Sequence, residues 1–456
     1  VYAYGTLTYL EYSRSIFFLG DIASENTTTK SDASADNQDL NNWKVDNFKT
    51  NGTLENFFKY GFISINRANA IIKKIPECDF NQNLKDQYLG EAYFLRAWNY
   101  FNLVRNFGLV PLHESVVETL DQTASPLAPD MDTLYDLILS DCRKASELLD
   151  VYDAPKIGRA DKVAAQALAA KAYLYIASAK EHNVSLYKDM KRDVTLMYDS
   201  AAYYAGEVIH KQSVYKFDNS LLDIYDVEKP RGPEHIFIMA MDRSGSTEGE
   251  YSKISKMFIP YIDGATLYLK QGDTNSYIPT HDGWGEYRTE ISFYNSFDPN
   301  DKRKTDLIVS KVYSSDGTLK AEYPGKIPYP FCRKFIDPKF DADKTSTRPF
   351  LIRFSDVALI YAEAAGPTPE SYSLVNFIRQ RAGLGTLNPN LTKEAFRKEV
   401  FKERTFELAF EGDHMYDLRR WNRIISDVPQ AAGLSEDRVT FYPIPQAEIN
   451  LNGSIR

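Results

Sequence analysis

Apolar stripes with helical spacing recur along this 456-residue chain, and they limit its fold more than any other property. In the clearest stripe, at 89–107, apolar side chains return every two or three residues on one side. A helix of this kind buries one face, so it needs a neighbour to pack against. We therefore predict helices over 54–75, 89–107, 131–149, 161–179, 195–210, 351–365, 372–382 and 394–410.

Two of the predicted helices resemble each other. Residues 92–100 align with residues 167–175 at an offset of 75, and alanine, basic and aromatic positions coincide. The offset is close to twice the period of about 34 residues found in tetratricopeptide repeats, whose helix pairs bury their apolar faces by stacking. The match favours a mostly α fold built on a tetratricopeptide-like helical-repeat scaffold. Two unrelated alanine-rich amphipathic helices would give the same pattern.

Turn-forming residues are concentrated between 228 and 350. This stretch contains nine of the 23 glycines and ten of the 21 prolines. Such a composition is typical of loops, hairpins and short strands rather than long helices. We predict a loop-rich insert with short strands at 228–350, and a helical scaffold at 1–227 and 351–456 that completes a single domain.

Charge and cysteine content exclude several classes of protein. The net charge of −9 and the pI near 5.4 argue against a nucleic-acid partner, which needs clustered positive charge. We find no run of about 18 apolar residues, so no membrane-spanning helix is expected. The first residues lack the pattern of a signal peptide. The three cysteines are widely separated, which predicts isolated thiols.

Motifs for catalysis, metals and nucleotides are missing from the sequence. It has no phosphate-binding loop, no H-E-x-x-H and no G-x-S-x-G, so we predict no cofactor, no metal and no catalytic residue. Glycoside hydrolysis needs two carboxylates on either side of the scissile bond. Asp282 with Glu286, and Glu286 with Glu290, are the pairs that leave this alternative open.

A set of short motifs resembles those of the SusD/RagB family, and the motifs occur in the same order along the chain. These motifs lie between residue 54 and the end of the chain: 65–69 (INRAN), 90–97 (GEAYFLRA), 106–112 (NFGLVPL), 158–160 (GRA), 351–357 (LIRFSDV), 376–384 (NFIRQRAGL), 403–412 (ERTFELAFEG), 417–421 (DLRRW) and 442–445 (YPIP). The resemblance implies a non-enzymatic, glycan-binding lipoprotein on the outer face of a bacterial outer membrane. It implies a lipid anchor on a cysteine ahead of Val1.

The resemblance also implies partners. Family members deliver oligosaccharide or polysaccharide to a SusC-like TonB-dependent transporter, on which they sit as a lid. Some relatives suggest a different ligand, so a peptide-capturing or protein-interaction module of the same fold stays open. The sugar and its linkage are left open as well.

A sugar ring has one face of C–H groups and a rim of hydroxyls, so exposed aromatic rings flanked by polar groups bind it. The insert supplies such a set around Trp284, whose two glycine neighbours indicate a ring projecting from a loop. We also predict an exposed early polar loop at 25–42, rich in Thr, Ser, Asp and Asn. The resemblance implies that polar groups of this loop hydrogen-bond to the ligand. The predicted ligand-binding residues are Trp284, Tyr287, Tyr277, His281, Arg288, Trp43, Asp21, Asn26, Tyr261 and Tyr268.

Each tryptophan also has a structural interpretation. Trp284 could instead close its loop onto the helices, and Trp43 suits a core position equally well. Trp98 and Trp421 lie in helical or family-motif contexts, and we predict that both are buried.

Charged residues in the 403–420 segment are spaced for ion pairs. Arg404, Glu407 and Glu411 lie at helical steps of three and four, suited to pairs along the helix or to Arg419 and Arg420 beyond it. Exposed pairs of this kind contribute about 0.2–1 kcal/mol each, so we expect them to position the helix rather than to catalyse a reaction.

Overall fold

The computed structural model describes residues 2–455, and within them eight helices have twelve residues or more. They are α1 (Gly52–Lys74), α2 (Gln82–Phe107), α3 (Met131–Leu148), α4 (Lys162–Glu181), α5 (Val194–His210), α6 (Phe354–Ala365), α7 (Pro369–Arg381) and α8 (Lys393–Glu407). Each coincides with one predicted stripe, although α2 begins seven residues earlier and α6 three residues later than predicted. The prediction of a mostly α chain is confirmed.

Local capping explains why these helices begin where they do. Asn51, Asp130 and Asp161 precede α1, α3 and α4, and each side chain accepts a hydrogen bond from a free N–H of the first turn. Helix α2 ends at Gly108, whose φ of +70° is a conformation that favours glycine. The helix bounds are therefore encoded in neighbouring residues.

Shorter elements fill the remaining chain. The short α-helices are Tyr2–Gly5, Leu10–Phe17, Ala35–Asn41, Ile254–Phe258, Ile291–Ser296, Lys302–Leu307, His414–Arg420, Ile424–Asp427, Glu436–Val439 and Gln446–Leu451. The 3₁₀ turns are Thr6–Thr8, Val45–Thr50, Ile75–Glu77, Leu120–Thr123, Asp223–Tyr225 and Pro429–Ala431, and one π-helical turn covers Phe18–Ile22. The strands are β1 (Thr27–Thr29), β2 (His235–Ile238), β3 (Leu267–Lys270), β4 (Tyr277–Thr280), β5 (Tyr287–Thr289), β6 (Ile308–Val309), β7 (Lys311–Tyr313), β8 (Leu319–Glu322), β9 (Phe331–Cys332) and β10 (Phe350–Arg353).

The long helices stack in chain order. Helices α1 to α5 each pack on the next, and α5 packs on α6 although 143 residues separate them in sequence. The two look-alike segments lie in α2 and α4, the second helices of successive pairs, and Tyr100 and Tyr175 are buried there. This arrangement is the stacked-hairpin scaffold that the internal match predicts. Trp98 and Trp421 are buried, as predicted.

The strands form four small antiparallel sheets. One has the order β4-β3-β7-β8, and the pairs β1–β5, β2–β10 and β6–β9 complete the set. The four-stranded sheet packs on its own apolar cluster, which includes Ile259, Leu267 and Phe331. Pairing of Thr27 with Thr289 joins the early chain to the strand that follows Trp284. The division into scaffold and 228–350 insert stays a prediction.

A buried group of charges joins the insert to the C-terminal helices. Arg353 lies at its centre and donates hydrogen bonds to Glu234, Glu407 and Glu411 at 2.7–3.1 Å. Three further cations contact the same carboxylates: Arg303, Lys334 and Arg381. Burial alone would raise the pKa of Glu407, but the surrounding guanidinium groups hold it below its ordinary value.

The ion pairs predicted within the 403–420 segment are wrong in partner and in exposure. Arg404 is buried and pairs with Asp356, Asp413 and Asp417, not with the neighbouring glutamates. Its partners come from α6 and from the chain beyond α8, because the folded C-terminal segment turns back over this helix. Helical spacing alone does not predict a pair with Asp356, 48 residues earlier, or the turn that brings Asp413 and Asp417 back onto α8.

Candidate functional site

Trp284 projects from a loop that is fixed to the short helix Ile254–Phe258. The backbone N–H of Trp284 donates to the carbonyl of Lys256 at 2.7 Å, and that of Gly285 donates to Ile259 at 2.9 Å. The indole ring is 40% exposed. A large ring that stays this accessible on a hydrogen-bonded loop is a ready contact for a ligand.

The glycines on both sides of Trp284 are required by close contacts. A Cβ at Gly283 would lie 2.0 Å from the carbonyl oxygen of Ile259, and one at Gly285 would lie 2.1 Å from the hydroxyl of Tyr329. Gly285 also has a φ of +60°. The loop therefore packs closely on Ile259 and Tyr329 at its two glycines, and the indole of Trp284 reaches the surface.

Asp282 connects this loop to a second exposed ring. Its carboxylate accepts hydrogen bonds from the backbone N–H groups of Ile262 and Gly264, at 2.7 and 2.6 Å. These bonds fix the turn that carries Tyr261, which is 71% exposed. Two exposed aromatic side chains thus stand on adjoining loops, each positioned by backbone hydrogen bonds.

Two predicted residues of the same loop region face inward. Ser255 hydrogen-bonds to the buried imidazole of His281 at 2.9 Å, and burial lowers the pKa of His281 to about 4. Tyr287 is buried between Phe18 and Phe258, with ring centroids 4.7 and 5.2 Å away. The expectation that His281 and Tyr287 are open to a ligand is wrong, because β5 alternates and places Tyr287 on its inner face.

Three predicted residues in or beside the early polar loop are also internal, contrary to prediction. Trp43 is 3% exposed, and its indole N–H donates to the carbonyl of Ala23 at 2.8 Å. Asp21 and Asn26 are buried, and Asp21 accepts a hydrogen bond from the N–H of Gly412 at 2.6 Å. Pairing of β1 with β5 places Asn26 next to a strand of the insert, so these side chains face the interior although residues 31–35 of the loop are mostly exposed.

Three other predicted residues are half-buried at the surface of the insert. Tyr268 and Tyr277 lie on the outer face of the four-stranded sheet, where Tyr313 stands opposite Tyr268. The ring of Tyr313 is 5.1 Å from that of Tyr277, and sequence reasoning missed it although its strand alternates in the same way. Arg288 donates to the carbonyl of Gly285 at 3.1 Å and so supports the Trp284 loop.

Two of the three carboxylates considered for hydrolysis have structural partners. Asp282 binds backbone N–H groups, and Glu286 pairs with Arg14 at 2.9 Å. Among the side chains that the structure describes, no group of three or more His, Cys, Asp or Glu is arranged to hold a metal. The chemistry that this surface offers is aromatic stacking with polar groups at the rim.

Comparison with known proteins agrees with this architecture. Residues 233–437 match the model described as the SusD family, and residues 7–174 match the model described as starch-binding associating with outer membrane. Together the two matches span most of the chain. The chain belongs to the SusD family. Among the described residues, no helix is long and apolar enough to cross a membrane.

SusD-like proteins from two other bacteria are similar to this chain. One from Formosa agariphila is 26% identical, with 94% of this chain and 84% of the relative covered, and one from Bacteroides ovatus is 22% identical, with 80% and 65% covered. Among solved structures, a SusD superfamily protein from Parabacteroides distasonis has a TM-score of 0.79 at 21% identity, covering 100% of this chain and 97% of that one. A laminarin-binding SusD-like protein has a TM-score of 0.77 at 24% identity, covering 100% and 98%. A surface glycan-binding protein from Bacteroides thetaiotaomicron, solved with laminarihexaose, has 0.76 at 19%, covering 100% and 97%.

Proposed function

We propose that this SusD-like chain is a cell-surface glycan-binding protein without catalytic activity. The observation that carries the proposal is the pair of exposed rings, Trp284 and Tyr261, on loops held by backbone hydrogen bonds. A ring that is already fixed loses little conformational entropy when a sugar stacks on it. Tyr268, Tyr277 and Arg288 are proposed as flanking contacts.

Family membership supports the location and the partners. We propose a lipid-anchored protein on the outer face of the outer membrane that delivers oligosaccharides to a SusC-like TonB-dependent transporter. The printed names of two structural neighbours mention laminarin or laminarihexaose, which supports a carbohydrate ligand. Few sugar units contact two rings, so we expect modest affinity.

The test is a glycan array followed by titration calorimetry on the best ligand. An indole that is 40% exposed leaves about 100 Å² to be covered, worth about 2.5 kcal/mol or roughly 60-fold in Kd. Trp284→Ala should therefore weaken binding by about that factor, and Tyr261→Ala should weaken it less.

Tyr203 provides the matched control, because it is 62% exposed but lies on α5, outside the insert. Tyr203→Ala should leave the Kd unchanged. Equal effects of Trp284→Ala and Tyr203→Ala would refute the proposed site. Binding of oligopeptides but no glycan would favour a peptide-capturing module, and release of reducing ends on long incubation would favour a hydrolase.

A further inference from the structure

Lysine side chains lie over the aromatic rings beside the proposed site. The ammonium nitrogen of Lys256 is 5.7 Å from the ring centroid of Trp284. Those of Lys253 and Lys344 are 5.7 and 5.1 Å from the ring of Tyr251. We call these five residues the lysine–aromatic strip. Sequence reasoning missed the strip, because its members come from three separate segments.

The backbone fixes the spacing of the strip. Ser252 and Thr345, both buried, exchange N–H to carbonyl hydrogen bonds at 2.9 and 3.0 Å, which joins the Tyr251 segment to the Lys344 segment. Lys256 belongs to the helix Ile254–Phe258, and its carbonyl accepts from Trp284. The two rings and three ammonium groups are thus carried by one hydrogen-bonded frame.

The three lysines of the strip differ in their contacts. Lys253 pairs with Glu248, and Lys256 pairs with Asp343. Lys344 instead donates to the carbonyl of Gly245 at 3.0 Å. The pKa of the exposed Glu250 is lowered by backbone hydrogen bonds and, less strongly, by the charge of Lys344. Two of the three cations are thus ion-paired and the third is held by a carbonyl, on a chain whose net charge is −9.

The nearby carboxylate of Glu250 has partners of its own. It accepts hydrogen bonds from the backbone N–H groups of Ser246 and Thr247 at 2.7 and 3.0 Å. It is therefore directed at that turn. The pairs with Glu248 and Asp343 are partly exposed, and pairs of this kind are weak enough for a ligand anion to replace the carboxylate.

We infer that the glycan bound here is anionic and carries carboxylate or sulfate groups. The aromatic rings contact the C–H faces of the sugar units, and Lys253, Lys256 and Lys344 bind the charged substituents. The inference rests on the proposed function, since it names the chemical class of ligand for the surface that includes Trp284. A neutral glycan would offer these lysines no charged group in place of the exposed carboxylates.

The test compares probes that differ in charge alone. Oligogalacturonides and their methyl esters share one backbone, and only the free acids carry charged carboxylates. Chondroitin sulfate and unsulfated chondroitin differ in sulfate, since both keep their uronate carboxylates. Titration calorimetry at low salt should give tighter binding for the more highly charged member of each pair that binds. The difference should shrink at about 1 M salt, where screening acts over about 3 Å.

Substitution of single lysines locates the charge effect. Lys253→Gln, Lys256→Gln and Lys344→Gln should each weaken the charged probe by about two- to fivefold and leave the neutral probe unchanged. Lys398→Gln is the control, because Lys398 lies on α8 outside the strip. Equal loss for charged and neutral probes would show a steric effect and contradict the inference.

The outcomes separate the inference from the proposed function. If neutral probes bind as tightly as charged ones and Trp284→Ala still weakens binding as expected above, the inference fails and the proposed function stands. If the array, with neutral, uronate and sulfated chains, shows no bound glycan, both fail. Equally tight binding of single-stranded DNA, which also offers flat rings and anions, would overturn the assignment to a glycan.

Discussion

Replacement of Arg353 by methionine is the sharpest test of how the insert is attached to the scaffold. Arg353 is buried and bonded to Glu234, Glu407 and Glu411, and it also donates to the main-chain carbonyl of Glu407 at 2.8 Å. Methionine keeps most of the volume and removes the charge. The substitution therefore leaves buried carboxylates with one cation fewer.

The magnitude follows from the contacts that remain. Removing one partner of a buried ion pair costs about 3–5 kcal/mol, since the other charge stays desolvated. Arg303 and Arg381 still contact Glu407 after the change, so we expect the lower end, about 3 kcal/mol. The double variant Arg353→Met with Glu407→Gln should lose less than the sum of the two single losses, by about 1–3 kcal/mol.

Urea unfolding at pH 7, followed by circular dichroism, measures both quantities. The pKa of Glu407 is held below its ordinary 4.5, so its stabilising contribution is complete above that pH and is lost as the pH falls through the lowered value. Lys398→Met, at an exposed pair with Glu394, is the control and should leave the midpoint unchanged. Additive losses in the double variant, or a loss at Arg353→Met no larger than at Lys398→Met, would refute the role given to the buried charges.

Three further predictions concern residues around the site. Burial raises the pKa of Asp21 to about 7, so the stability due to this group is complete below about pH 3.8 and is lost as the pH rises through 7. In urea titrations, Asp21→Asn should therefore reduce the loss of stability between pH 5 and 8 by roughly 2–4 kcal/mol, and an unchanged slope of stability against pH would contradict this. Gly285→Ala should destabilise the fold by about 1–3 kcal/mol more than Gly433→Ala and weaken glycan binding, because both glycines have positive φ but a Cβ at Gly433 meets no atom within 4 Å. Equal losses of stability would contradict the collision with Tyr329. Trp43→Phe should lower the free energy of unfolding by about 1–2 kcal/mol through the lost hydrogen bond to Ala23, and should leave glycan affinity unchanged in calorimetry. Weaker glycan binding would show that Trp43 contributes to the site.

The helices could be predicted because their signals are local. Asn51, Asp130 and Asp161 lie next to the helices they cap, and Gly108 follows the one it ends. The loop at Trp284 could be predicted for the same reason, since both glycines adjoin it. Contacts between distant segments had no such signal.

The burial of Trp43 could not be predicted from neighbouring residues. Its polar neighbours suggested an exposed loop, but strand β1 pairs with β5 some 260 residues later and encloses the segment. Arg404 shows the same limit, because its partner Asp356 lies 48 residues earlier and its partner Asp413 follows the end of α8. The aromatic side chains that are accessible, Trp284 and Tyr261, depend on turns whose own backbone N–H groups donate to oxygen atoms of neighbouring segments.

The packing of α5 on α6 joins two helices that are made at different times during synthesis. His210 ends α5, and its partner α6 begins at Phe354, with His210 and Tyr361 6.2 Å apart between ring centroids. A ribosome that adds about 5–20 residues per second needs roughly 7–30 s to make the intervening stretch. For that interval the first five helices have been synthesised but their last neighbour has not. Until Phe354–Ala365 is present, the face of α5 that packs on α6 has no partner, so the stack of the first five long helices is incomplete.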